Sequence, residues 1–190
     1  RDIKEDIECG ELLCWRTGDV AIDTTFDDRM VEDLIKAEIL AAPLTIILLI
    51  IVFSSIVAAL LPVAISIPTV ISGVGIIFWL SKQMDVNNYA MNIVSLIGIG
   101  VSIDYSLFIV NRFREELHNG HDKREALAIT SATAGKAVFF SGITVVIGLS
   151  GMLFFEGTGL PSMGIGGSLA VGLAVFFSTT FLMAILSILG

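Results

Sequence analysis

"GIGVSIDYSLFIVNRFREEL", residues 98–117, sets one aspartate, Asp104, in a stretch that carries no other formal charge from Val86 to Asn111, and two arginines and two glutamates follow at once. An α-helix needs about 20 predominantly apolar residues to cross the hydrocarbon of a bilayer. The window around Asp104, roughly 90–111, meets that length. A carboxylate near the centre of such a span costs roughly 2.5–3.5 kcal/mol on insertion scales, and residues of this kind face a helix bundle or water and serve ion or proton pathways.

The rest of the chain supports the reading of a span. Of its 190 residues 55% are hydrophobic, and the mean hydropathy is +0.89. A soluble domain fills its core with far less. No Asp, Glu, Lys or Arg occurs between Ile39 and Ser81, and Pro62 divides that run into 39–61 and 63–80. Two further uncharged windows give spans at 137–155 and 164–189. The expected fold is therefore an all-α polytopic membrane protein with five transmembrane helices over 37–190, a connection at 112–136, and a stub at 1–36.

The net charge of −8 is a local property, because 12 of the 19 acidic residues precede Ile39. Residues 1–36 read as the remnant of an extracytoplasmic domain, and the chain as a piece of something longer. They show no positively charged leader with a short apolar core. Cys9 and Cys14 lie in this stub with four residues between them, and their pairing is left open. Two cysteines with no second pair or suitably spaced histidine do not make a zinc site. A short strand-like piece, "DVAID", precedes a helix that starts near Asp27 or Asp28 and runs into the first span, where Pro43 is expected to bend it.

Lys and Arg set the orientation. The 112–136 connection holds Arg112, Arg114, Lys123, Arg124 and Lys136, whereas 81–89 holds only Lys82 and 155–162 holds none. That places 112–136 in the cytoplasm and the stub outside, in the cell membrane. "RFREELHNG" is expected to extend the third span as helix to a C-cap at Asn119-Gly120. Asp122 with Glu125 is expected to open a short surface helix through about Ala132. His118 and His121 read as solvated residues without a catalytic role.

At 100° per residue Asp104 shares its face with Gly100 one turn before and Asn111 two turns after, with Ile93 and Ile97 on the same stripe. Gly98 and Gly100 leave room for a neighbouring helix or water. Burial disfavours the charged form of an aspartate, so a carboxyl here is expected to load and release protons. Tyr105, about 100° round the helix, can reach another helix with its phenol. Ser141 and Thr144 in "FFSGITVV" are partner candidates for the carboxyl, with bonding to their own helix carbonyls as the competing use. In the last span, Ser168 and Gly172 have the spacing of small residues at a helix contact.

Taken together, "GIGVSIDYSLFIVNRFREEL", "TSATAGKAVFFSGITVVIGLSG" and "DLIKAE" entering a helix with Pro43 resemble the MMPL branch of the resistance-nodulation-division (RND) superfamily. The resemblance implies spans two to six of one repeat. It further implies export of lipids or other hydrophobic cargo driven by the proton motive force, with Asp104, Tyr105 and Ser141 as proton relay. Protons are then the coupling ion, with no cofactor or metal. The implied partners are membrane lipids, the cargo, and a second Asp-Tyr repeat from the parent chain or another copy; nucleic acid is not among them. A sterol-sensing-like lipid-binding module is the alternative. An enzyme is not expected: an intramembrane serine protease needs Ser and His within the membrane, and an aspartyl one needs two aspartates on different helices.

Overall fold

The computed structural model describes residues 33, 36–37, 39–51, 56–84, 86–87, 89–155 and 158–189. The calls on Cys9, Cys14, "DVAID" and the Asp27 or Asp28 cap lie outside the described residues. Two compact units divide between Leu48 and Leu49. In the first, Asp33, Lys36 and Ala37 are helical, with Lys36 Nζ 3.7 Å from Asp33. The apolar helix α1 (Ile39–Ile51) begins there and carries Pro43 within it.

The second unit is a bundle of four helices long and apolar enough to cross a membrane. They run over Ala58–Leu80, Tyr89–His118, Lys123–Phe154 and Leu160–Leu189. The first is the main part of α2 (Ile56–Leu80), which holds both Pro62 and Pro68. The break expected at Pro62, which would divide the run into 39–61 and 63–80, is thus not there. Proline removes one backbone donor, here the one that would bond the Ala58 carbonyl, and helices in lipid tolerate that loss without ending. Whatever separates α1 from α2 falls in residues 52–55, outside the described ones.

Helix α3 (Tyr89–His118) spans 30 residues and packs against both α2 and the helix that starts at Leu160. Its helical extension past Asn111 is as expected, and so is its end. Gly120 takes φ +93°, a left-handed conformation that glycine adopts without steric cost. Its N–H donates to the Leu117 carbonyl at 3.2 Å, and the His121 N–H donates to the Glu116 carbonyl at 3.3 Å. This pair of bonds is a Schellman motif. Asp122 then accepts the Glu125 N–H at 2.7 Å and caps α4 (Lys123–Thr130).

The 112–136 segment is not a loop closed by a separate surface helix, which corrects that expectation. From α4 the chain passes through a π-helical turn, Ser131–Gly135, directly into α5 (Lys136–Ser150) and a closing 3₁₀ turn at Gly151–Phe154. One helix of 32 residues results. A second π-turn, Phe177–Phe181, joins α6 (Leu160–Phe176) to α7 (Leu182–Leu189), and the two wide turns lie against each other. The last span therefore starts at Leu160, with Pro161 in its first turn, where its missing donor costs nothing.

Glycine sets how closely these helices approach, though not at the Ser168–Gly172 pair. A Cβ added to Gly166 would lie 2.7 Å from the Ala90 carbonyl oxygen, where α6 meets α3, and one added to Gly164 would lie 2.8 Å from that of Leu149, where α6 meets α5. Gly142 on α5 is held as tightly against Val175. Among the described residues Gly172 has open space beside it, and Ser168 is half-buried with a hydroxyl that finds no partner there.

Two contacts fix the ends of the bundle. The Asn87 N–H donates to Ser162 Oγ at 3.1 Å, and Lys123 Nζ donates to the Ile188 carbonyl at 3.3 Å. The 81–89 turn and the start of α6 therefore share one end. The α3–α4 corner and the end of α7 share the other.

Candidate functional site

Asp104 lies 15 residues into α3, about 22 Å along its axis at 1.5 Å per residue. It sits near the middle of a span, as its sequence context requires. The side chain is exposed, and among the described residues no hydrogen bond or ion pair reaches it. Among the described residues no helix buries it, so the burial expected of this carboxyl is not provided by them.

The face that holds it explains why. Leu96, Gly100, Asp104, Phe108 and Asn111 recur every three or four residues, and all five are exposed. Leu96 and Phe108 keep about half their surface, at 53% and 51%, so α2 and α6 cover the other sides of α3 and leave this stripe open. Gly100 has nothing within 4 Å of where a Cβ would be. Ile93 and Ile97 are half-buried instead, with Ile93 reaching toward Gly167 of α6. Gly98 is buried and in ordinary contact with Val70, Thr69 and Ala170. Of the two glycines singled out from sequence, Gly98 serves packing inside the bundle and Gly100 opens the outer face.

Tyr105 and Ser141 do come together. The phenol and the serine hydroxyl lie 3.4 Å apart, joining α3 to α5 directly beside Asp104 in sequence. Ser141 meets the tyrosine and not the carboxylate. Thr144 takes the competing role: its hydroxyl donates to the Phe140 carbonyl at 2.9 Å.

Behind the open stripe lies a polar feature that periodicity did not single out. Ser102 and Ser106, one turn apart on the opposite side of α3, are fully buried. Ser106 Oγ is 3.3 Å from Ser178 Oγ in the second π-turn, and among the described residues Ser102 Oγ has no partner. Serines at i and i+4 in "VSIDYS" were the available signal. Bonding to a neighbouring helix and bonding to the helix's own carbonyls look alike in sequence.

A carboxylate at mid-span that faces lipid is unfavourable by several kcal/mol.

The model of the MMPL family matches residues 11–190. The chain is 37% identical over 181 residues to a mycolic acid-containing lipids exporter, MmpL11, of Mycolicibacterium smegmatis, covering 95% of this chain and 19% of that protein. It is 40% identical over 155 residues to the trehalose monomycolate exporter MmpL3 of Mycobacterium tuberculosis, covering 82% of this chain and 16% of that one. A third relative, the heme uptake protein MmpL11 of Mycobacterium tuberculosis, is 34% identical over 178 residues, covering 94% and 18%. The chain thus spans less than a fifth of the length of these relatives.

Proposed function

The chain belongs to the MMPL family, and we propose from this premise that it forms the membrane part of one repeat of a transporter that exports lipids or other hydrophobic cargo, driven by inward proton flow. Asp104 is the titrating group in this reading. Tyr105 and Ser141 position it and the water around it. The observation that carries the reading is the mid-span carboxylate on a face that the described helices of this unit leave open, beside a hydroxyl pair that bridges two helices. A second Asp-Tyr repeat, from the parent chain or another copy, would cover the stripe. The relatives' names differ in cargo, so only the class, a large apolar molecule, is carried over.

The test is transport by the full-length parent in proteoliposomes across an imposed pH gradient. Movement of a fluorescent lipid that collapses when the gradient is dissipated supports the reading. Gradient-independent binding without movement would favour the sterol-sensing-like lipid module.

The same reading puts the α3–α4 corner in the cytoplasm and residues 1–36 outside, following the Lys and Arg distribution. Asn87 and Asn119 flank α3 at its opposite ends. In intact cells an impermeant thiol reagent should label a cysteine at Asn87 and spare one at Asn119. The reverse pattern would invert the topology.

A further inference from the structure

Helices α3 and α6 pack together through small residues that face each other in register. At one level a Cβ added to Gly98 would lie 3.9 Å from the Ala170 Cβ. Eight residues further along both chains, Ser106 Oγ lies 3.3 Å from Ser178 Oγ. Ser102 and Ala174 stand midway between these two contacts, one turn from each, and therefore face each other. Ser102, Ser106, Ala170, Ala174 and Ser178 are all at 0% exposure.

The hydroxyls of this seam do not balance among themselves. Ser102, Ser106 and Ser178 bring three O–H donors, and the bond between Ser106 and Ser178 uses one of them. Among the described residues Ser102 Oγ has no partner. Two buried donors are left over, and a buried donor without an acceptor is destabilising. The hydroxyls of α2 are committed elsewhere: Ser66 donates to the Val63 carbonyl at 2.8 Å and Thr69 to the Ile65 carbonyl at 2.9 Å.

The residue opposite Ser102 decides what can balance them. Ala174 presents a methyl where Ser178, one turn on, presents a hydroxyl. The methyl neither donates nor accepts, and it lacks the one oxygen that completes the contact at Ser178. A water oxygen at that point has two lone pairs for the two leftover donors. Two hydrogen bonds of about 2.8 Å laid end to end reach about 5.6 Å, close to the rise of about 6 Å between residues four apart on a helix. Three neutral hydroxyls are too few, and carry no charge, to replace the hydration of a cation.

We propose that one ordered water is built into the α3–α6 seam beside Ala174. It accepts from Ser102 and from whichever of Ser106 and Ser178 keeps a free hydrogen, and so repeats the Ser106–Ser178 contact with a water in place of a second serine. Ser102 precedes Asp104 by two residues on the opposite side of α3. The water therefore pegs the rotation of α3 at the depth of the carboxylate.

Electron cryomicroscopy of the full-length parent in lipid nanodiscs, with ordered water visible in the density, tests this; it needs no transport and stands apart from the exporter reading. We expect a peak about 2.7–3.0 Å from Ser102 Oγ and from Ser106 or Ser178 Oγ, the usual range for such bonds. Ala174→Ser, which supplies an oxygen at the same point, should lose that peak. Ser102→Ala should lower the thermal unfolding midpoint, because the water loses its anchor and the remaining donor its acceptor. A dry Ser102 would give the opposite sign, since alanine would then remove an unsatisfied hydroxyl. No peak beside a clearly placed Ser102 hydroxyl, a peak that survives Ala174→Ser, or a raised midpoint in Ser102→Ala each overturns the proposal.

Discussion

Asp104→Asn in the full-length parent is expected to reduce gradient-driven export to background, a loss on the order of a hundredfold or more, the scale for removing a proton-transferring group. Asparagine keeps the size of the side chain and its hydrogen bonding but cannot ionise, and insertion should improve if anything once the charge is gone. Tyr105→Phe and Ser141→Ala both remove the 3.4 Å contact between the two hydroxyls that links α3 to α5. A bond of that length is worth about 1 kcal/mol or less, so each change should cost only a few-fold, and the double variant should be no worse than Tyr105→Phe alone. Export is measured at matched expression across an imposed pH gradient. Wild-type export by Asp104→Asn would end the proton-carrying role of this residue. Equal loss from all three changes would mark a structural cluster instead.

The second large effect concerns Gly166. Its added Cβ would lie 2.7 Å from the Ala90 carbonyl oxygen and 3.2 Å from the Ala90 Cα. These are backbone atoms, which no rotamer change can move aside, so α6 and the start of α3 would have to separate. Gly166→Ala should cost about 1–3 kcal/mol, the usual scale of overpacking, and Gly166→Val should prevent the bundle from closing. Gly172→Ala, with open space around it, should be neutral or slightly stabilising, because alanine loses less chain entropy in a helix. Thermal unfolding in detergent, followed by circular dichroism, separates the two sites. Equal melting of Gly166→Ala and Gly172→Ala would show that this contact does not hold the helices.

Local chemistry was legible in the sequence where a residue type has one structural use. Asn119-Gly120 announced the left-handed end of α3, and Asp122 with Glu125 announced the cap of α4; both are there. Proline was the opposite case. Pro62 ends helices in water but sits inside α2, because in an apolar medium an interrupted helix remains better than exposed backbone. Small-residue spacing located a class of contact but not its members. Gly164 and Gly166 make the close approaches and Gly172 does not, since which side of α6 meets a neighbour is decided by the packing of α3 and α5. The carboxylate's depth followed from counting residues. Its lack of cover did not, because that depends on what the other helices leave bare.

The two π-turns bear on how a chain of this build can change in length. Each takes one residue more into its turn than a regular helix would, and each lies between inward-facing positions: Thr130 and Val138 around the first, Ala174 and Leu182 around the second. One residue corresponds to about 100° of rotation in an α-helix. A deletion elsewhere in the helices Lys123–Phe154 or Leu160–Leu189 would swing all that follows toward lipid. The same deletion within 131–135 or 177–181 would merely tighten a wide turn into an ordinary one, with Val138 and Leu182 still facing the core. Single-residue losses are thereby confined to two adjoining places, where the helices can absorb them without changing phase.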